Sequence, residues 1–150
     1  GGSITALVSV LVDGDDHNDP IADAVRGILD GHFVLDRDIA NQGRYPPLDL
    51  LASLSLLAPR VWSPEQHKLV QQLKALIARF EDTRDLRMIG SWRPGEDEFL
   101  DRAVSTVPLL YSAVTQSPRE PRSEDAFADL LDHIKRSANE GPNAQPKTAN

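Results

Sequence analysis

The sequence contains no cysteine and only one methionine among its 150 residues. The lack of cysteine excludes a disulfide framework and thiolate metal sites, and it suits a reducing compartment. Basic residues are also outnumbered, with 16 Lys and Arg against 23 Asp and Glu and a formal net charge of −7. Binding to nucleic acid needs a basic face that neutralises phosphates, so this balance argues against a nucleic-acid partner.

Long apolar runs are missing too, since no stretch approaches the ~20 apolar residues that cross a bilayer. The start of the chain, Gly1-Gly2-Ser3, has no initiator methionine and no secretory signal pattern. Residues 4–12 are typical of a buried strand, which needs neighbours on both sides. We therefore expect a fragment of a longer protein.

Strand and helix signals alternate over residues 3–59, which predicts an α/β layer. Asp19 and Pro20 are typical of a helix start, because Asp caps a helix and Pro fits its first position. Gly31 is placed to end that helix in a left-handed conformation. The other elements predicted here are a strand over Ile4–Val12, a short buried strand over His32–Leu35, a helix from Asp36 to about Asn41 that stops at Gly43, and a stretch over Leu48–Leu57 that fits either a strand or a buried helical turn.

The chain after Ser63 is predicted to form three amphipathic helices that pack as a small bundle. The first begins with a capping box at Ser63, the second runs over Asp97–Val114, and the third begins at Ser123. Residues 137–150 have no apolar period and are predicted to be a solvated tail. The side chains expected to face inward are Leu69, Leu73, Leu76, Ile77 and Phe80 in the first helix, Phe99, Ala103, Val107, Leu110 and Val114 in the second, and Phe127, Leu130, Leu131 and Ile134 in the third.

Complete catalytic motifs are absent from the sequence. It has no G-x-x-x-x-G-K-[ST] phosphate loop, no H-E-x-x-H motif and no G-x-S-x-G motif. The four histidines have no metal-ligand spacing, so no metal site is predicted. The acidic run over residues 13–19 is not an EF-hand loop, because Asn18 and Ala24 stand where that loop needs Gly and Glu. It fits either a polar loop that satisfies its own backbone donors or a loop that contacts a partner.

Tyr45 precedes two prolines in a loop, Pro46 and Pro47. A ring held in this way can stack on a planar ligand such as adenine, or it can pack against the helices. The residues alone leave both interpretations open.

Three stretches of the sequence resemble the flagellum-specific and type III secretion export ATPases in one register. They are Gly2–Ala6 with Val12–His32, Tyr45-Pro46, and Leu51–Ser55. These enzymes are similar to the catalytic subunits of F-type ATP synthases. The resemblance is close from Gly2 to Pro59, and it is looser from there to about Gln116. It implies an α/β fold in which residues 1–60 are the C-terminal part of a RecA-like P-loop ATPase core sheet, 61–136 an all-helical C-terminal domain and 137–150 a disordered tail.

The resemblance implies a hexameric ATPase that couples ATP hydrolysis to protein export through the flagellar or a related type III secretion apparatus. In this family the phosphate loop, the catalytic Glu and the Mg-binding Asp lie upstream of the segment that matches Gly1. ATP and Mg²⁺ are thus expected as cofactors of the full-length protein, whereas the fragment alone is expected to bind none and to be inactive. The implied partners are a coiled-coil stalk protein in the central pore, a regulatory stator-like dimer, export chaperone–substrate complexes and the membrane export gate. The implied location is the cytoplasm, at the periphery of the inner-membrane export apparatus.

The resemblance also assigns roles to individual residues. Tyr45, with Pro46 beside it, matches the aromatic residue that stacks on the adenine of ATP. The acidic loop matches the one that contacts the stalk, through Asp15, Asp16, Asn18 and Asp19.

Two positions depart from the family pattern. Asp36 replaces a Ser that caps a helix, and Asp caps about as well. Leu56 replaces the arginine finger that reaches the γ-phosphate bound by the neighbouring subunit, so no catalytic residue is predicted in this chain. Arg60 is the nearest cation downstream, but Pro59 is expected to redirect the chain between them. A non-hydrolysing ATPase-like assembly or adaptor subunit, which keeps the stalk- and partner-binding surfaces, is therefore the alternative to an active enzyme.

Overall fold

The computed structural model describes residues 2–12 and 19–140, with side chains to residue 137. Three predicted stalk-contact residues, Asp15, Asp16 and Asn18, lie outside this range, as does the predicted tail beyond residue 140. The described elements are, in chain order, α1 (Pro20–Arg26), β1 (Gly31–Leu35), α2 (Arg37–Asn41), β2 (Leu48–Ser55), α3 (Ala58–Val61), α4 (Pro64–Asp82), α5 (Arg84–Met88), α6 (Glu98–Val114) and α7 (Ala126–Glu140).

The described strands form one antiparallel pair, in which Gly31 faces Ser55 and Leu35 faces Leu48. The ambiguous stretch over residues 48–57 is thus mainly strand. β1 is formed as predicted, but it is not buried, because Phe33 is 77% exposed. The predicted strand over Ile4–Val12 is wrong, since residues 2–12 adopt no secondary structure. A strand needs a neighbouring backbone to pair with, and no described residue pairs with this segment.

The first helix begins as predicted and ends early. The Asp19 carboxylate accepts hydrogen bonds from the backbone of Ile21 and Ala22, each at 2.9 Å. The helix stops at Gly27, so Gly31 does not end it. Gly31 instead lies in β1, where a Cβ atom would be 2.6 Å from the carbonyl oxygen of Leu54. The close approach of the two strands, rather than a left-handed turn, accounts for the glycine.

Helix α2 matches its prediction at both ends. Asp36 Oδ1 accepts hydrogen bonds from Asp38 N at 2.6 Å and Ile39 N at 3.2 Å. Gly43, just after the helix, has a φ of 77°, a conformation that glycine adopts without strain. The end of the helix and the turn at Gly43 therefore set the direction in which the chain enters the loop that carries Tyr45.

The long helices pack on one another around a single core. α6 packs between α4 and α7, and the core consists of Leu76, Ile77, Leu100, Ala103, Val107 and Leu110. The Ser63 capping box of α4 and the Asp97 cap of α6 are both formed. The prediction that Phe99 faces inward is wrong, because Phe99 is 44% exposed and its neighbour Leu100 takes the core position.

Helix α7 starts later and extends further than predicted. It begins at Ala126 rather than Ser123, because Asp125 accepts hydrogen bonds from the backbone of Phe127 and Ala128. It continues to Glu140, so the first four residues of the predicted tail, 137–140, are helical. Within the described part of the chain, no helix is both long enough and apolar enough to cross a membrane.

Candidate functional site

Tyr45 lies in the loop between α2 and β2, and its backbone is held from two sides. The Tyr45 carbonyl accepts a hydrogen bond from Gln116 N at 2.8 Å, and the Pro47 carbonyl accepts one from Asp36 N at 2.9 Å. The peptide bond between Tyr45 and Pro46 is cis. Tyr45 is 55% exposed, so a ligand can reach this residue while the hydrogen bond from Gln116 fixes its backbone. Stacking on a base stays a prediction.

The residue before Tyr45 is tied to the helical part of the protein. The guanidinium carbon of Arg44 lies 3.8 Å from the centroid of the Tyr111 ring, in α6. The Tyr111 hydroxyl donates a 2.6 Å hydrogen bond to Glu81 Oε1, at the end of α4. Burial and this hydrogen bond raise the pKa of Tyr111 well above its ordinary value, so the hydroxyl stays protonated and continues to donate at physiological pH.

Sequence reasoning missed this cluster of Arg44, Tyr111 and Glu81, because its members are far apart in the chain. The only signal was that Tyr111 is the second of two tyrosines and lies on a helix face next to the buried Leu110. A partly buried tyrosine usually finds a partner for its hydroxyl.

A second stacked pair lies close to the first. The guanidinium carbon of Arg87 is 3.6 Å from the centroid of the Phe80 ring, and its Nη2 donates a 2.6 Å hydrogen bond to the Phe80 carbonyl. The Phe80 and Tyr111 rings meet edge to face, with centroids 6.3 Å apart. Phe80 and Arg87 border a cavity of about 440 Å³ that is lined by Gln42, Phe80, Glu81, Arg84, Arg87 and Met88. Tyr45 does not line this cavity.

Leu56 lies directly after β2 and its side chain is 57% exposed. Its backbone N–H donates a 2.7 Å hydrogen bond to the Asp30 carbonyl, which fixes the position without using the side chain. Arg60 is exposed in α3. Pro59 does not redirect the chain as we expected, because it lies in the first turn of α3, where proline is readily accommodated.

Of the predicted stalk-contact residues, the structure describes only Asp19. Its carboxylate caps α1, so at least this member of the acidic run serves a backbone role, as the polar-loop interpretation requires. Among the described residues, no group of three or more His, Asp or Glu side chains is placed to hold a metal ion.

Two family models match successive parts of the chain. Residues 1–55 match the ATP synthase alpha/beta family, nucleotide-binding domain. Residues 62–133 match the T3SS EscN ATPase C-terminal domain.

Individual relatives agree with both matches. The chain is 58% identical over 147 residues to the flagellum-specific ATP synthase of Agrobacterium fabrum, covering 97% of this chain and 31% of that protein. It superposes on the assembled ATPase EscN from the enteropathogenic E. coli type III secretion system with a TM-score of 0.77 and 33% identity, covering 83% of this chain and 31% of that one. It also superposes on EscN in complex with its central stalk EscO, with a TM-score of 0.70 and 32% identity, covering 77% of this chain and 29% of that one.

The chain thus spans about 31% of the length of these relatives. The fold class predicted from the sequence is confirmed: the α/β part belongs to the nucleotide-binding core of an ATPase, and the helices after it form the C-terminal domain. The chain belongs to the family of flagellum-specific and type III secretion ATPases, which are related to the ATP synthase alpha/beta subunits.

Proposed function

We propose that this chain is the C-terminal part of an ATPase that couples ATP hydrolysis to protein export through the flagellar or a related type III secretion apparatus. One observation carries the proposal, namely the 58% identity that continues over 147 residues through both the nucleotide-binding and the helical parts. A fold by itself does not fix a function. The proposal therefore also needs a site residue, and Tyr45 supplies it.

Tyr45 is proposed to stack on the adenine of ATP, with Pro46 beside it. The residue is 55% exposed and its backbone carbonyl is fixed by Gln116, which suits a preformed stacking platform. Hydrolysis of ATP supplies the free energy for export, and Mg²⁺ neutralises the charge of the phosphates. These 150 residues contain no G-x-x-x-x-G-K-[ST] loop, so the phosphates and the Mg²⁺ ion are assigned to other parts of the full-length protein.

This division predicts that the 150-residue chain alone neither binds nor hydrolyses ATP. Contacts to the phosphates dominate binding in such sites, while a single stacking ring contributes only about 1–3 kcal/mol. Isothermal titration of the chain with MgATP checks this. Binding at micromolar concentrations would show that the chain holds a phosphate site of its own.

The assembly is proposed by analogy with EscN, which forms an assembled ATPase and a complex with its central stalk EscO. We assign to this protein a homohexamer whose acidic loop, with Asp15, Asp16, Asn18 and Asp19, contacts a coiled-coil stalk. A stator-like dimer, chaperone–substrate complexes and the membrane export gate complete the proposed partners, at the cytoplasmic face of the inner membrane. The chain would then divide into a core segment to residue 60, a helical domain over 61–136 and a tail.

A second candidate function rests on Leu56. Its exposed apolar side chain stands where the family has an arginine finger, and leucine carries no charge and donates no hydrogen bond. A finger acts mainly on the transition state, so its loss removes turnover while leaving nucleotide binding largely intact. A non-hydrolysing adaptor that retains the assembly surfaces would have this property.

The two candidates are separated by measuring phosphate release and export together. The full-length protein is purified for a phosphate-release assay and also returned to a strain that lacks it, where export of a flagellar or type III substrate is followed. Release together with restored export supports the enzyme. Restored export without release supports the adaptor, and failure to restore export argues against both.

A further inference from the structure

The loop that carries Tyr45 is joined to the helical domain by two separate contacts. One is the hydrogen bond from Gln116 N to the Tyr45 carbonyl, at 2.8 Å, just beyond the end of α6. The other is the Arg44 guanidinium over the Tyr111 ring, at 3.8 Å and in the last turns of α6. Both contacts come from the same end of the same helix, and they flank the backbone of one residue.

The side-chain contact joins a cation that lies over the Tyr111 ring to a carboxylate at the Tyr111 hydroxyl. Glu81, in α4, accepts the 2.6 Å hydrogen bond from the Tyr111 hydroxyl, and Arg44 lies over the ring. A carboxylate at the hydroxyl makes the ring richer in electrons, which strengthens its attraction for a cation. The Nε atom of Arg44 is buried and makes no hydrogen bond with the described residues. The ring of Tyr111 is thus one contact that orients the guanidinium.

We propose that Arg44, Tyr111 and Glu81 are positioning residues for the stacking ring of Tyr45, so that α4 and α6 of the helical domain set how well the nucleotide-binding part holds a base. This inference rests on the proposed stacking role of Tyr45. Movement of α6 relative to α4 would weaken the contacts of Tyr111 with Arg44 and Glu81. The affinity for the base would then change while the phosphate site stays the same.

The chain offers a matched control in Arg87. It covers the Phe80 ring at 3.6 Å, so it makes the same kind of contact at the same end of α4. It is joined to α4 rather than to the Tyr45 loop. Arg87→Gln thus removes an equivalent cation–ring pair that reaches the Tyr45 loop only indirectly, through the edge-to-face contact of Phe80 with Tyr111.

The test uses the full-length protein and two probes, MgATP and Mg-tripolyphosphate, which has no base. Arg44→Gln and the milder Tyr111→Phe are each expected to weaken MgATP binding about 3- to 10-fold, part of what a cation–π contact provides. Binding of tripolyphosphate should not change, which also shows that each variant is folded. Arg87→Gln should leave both affinities as they are. In a Tyr45→Ala background, Arg44→Gln should produce no further loss.

Each contrary result has a defined meaning. Equal weakening of both probes, or the same loss of MgATP binding in Arg87→Gln, would overturn the inference in favour of a general packing role. If Tyr45→Ala weakens MgATP binding and Arg44→Gln does not, the positioning role is wrong and the stacking role stands. If Tyr45→Ala itself has no effect, the stacking role fails, and the inference fails with it.

Discussion

The two halves of this chain bury their apolar side chains very differently. The helical half has a continuous core, in which Ala103 and Val107 are fully buried. In the α/β half, Ala22 and Ala58 are the only buried apolar residues among those described. Several large apolar side chains there are mostly exposed, namely Ile21, Ile28, Phe33, Leu35, Leu54 and Leu56.

The difference indicates that the helical half folds around a core of its own, whereas the α/β half presents apolar side chains on which other protein can pack. Exposed apolar patches of this extent mark places where other protein packs. On the proposed function, that protein is the remainder of the nucleotide-binding core and the neighbouring subunit. Substitutions in the α/β half should then act on nucleotide chemistry, and substitutions in the helical half, apart from Tyr111 and Glu81, on stability. The four predictions below test this division.

The largest effect is expected at Leu56. An arginine finger stabilises charge on the transferring phosphoryl group and contributes ~10³–10⁵ in turnover in GTPases. Leu56→Arg in the full-length protein is therefore expected to raise kcat at least about tenfold, with little change in nucleotide affinity. Steady-state phosphate release and nucleotide titration measure the two quantities.

Arg60 provides the control for this prediction, because it is the nearest exposed cation after Leu56. If the wild-type protein already turns over like its relatives and Leu56→Arg adds nothing, another group supplies the charge. Loss of turnover in Arg60→Ala would then identify Arg60 as that group.

The next effect is on stability and concerns Leu100, which is 4% exposed in the helical core. Leu100→Ala leaves a cavity and should lower the free energy of unfolding of the chain by about 2–5 kcal/mol. Leu54→Ala, in β2, removes the same atoms from a side chain that is 50% exposed, and should change it by less than about 0.5 kcal/mol. Urea denaturation of both variants decides the point, and equal losses would contradict the proposed division.

The third effect returns to the α/β half. Tyr45→Ala should weaken MgATP binding to the full-length protein by about 1–3 kcal/mol, the contribution of one stacked base, and Tyr45→Phe should be nearly neutral. The melting temperature should be nearly unchanged in both, because the ring is largely exposed. Equal damage from the two changes would point to the hydroxyl and against stacking.

What could be predicted from the sequence follows the same division. The caps at Asp19, Asp36 and Ser63 were predictable because a cap depends on residues within one turn. The strand predicted over Ile4–Val12 does not form, because pairing depends on partners that a local pattern does not contain. The cluster around Tyr111 was missed for a similar reason, since it joins the Arg44 loop, α4 and α6.

The smallest effect is a dependence of stability on pH through Asp97. Its carboxylate caps α6 by accepting a 2.9 Å hydrogen bond from Leu100 N and also pairs with Arg79 at 2.5 Å. These two contacts hold the pKa of Asp97 below its ordinary value. A carboxyl with a lowered pKa in the folded state contributes stability above its unfolded pKa, and that contribution is lost as pH falls through the folded pKa. The advantage of the wild type over Asp97→Asn should therefore be present at neutral pH and disappear at the acid end of the range.

Urea midpoints of the 150-residue chain, measured from neutral pH downward, test this dependence. Glu98→Gln is the control, because its pair with Arg102 is longer, at 3.8 Å, and exposed, and such pairs contribute little. It should show a smaller difference from the wild type than Asp97→Asn at neutral pH. A difference for Asp97→Asn that stays constant through the acid range would show that its carboxylate charge does not stabilise the start of α6. Because an asparagine side chain can also accept the hydrogen bond from Leu100 N, such a constant difference would come from neither that bond nor the charge.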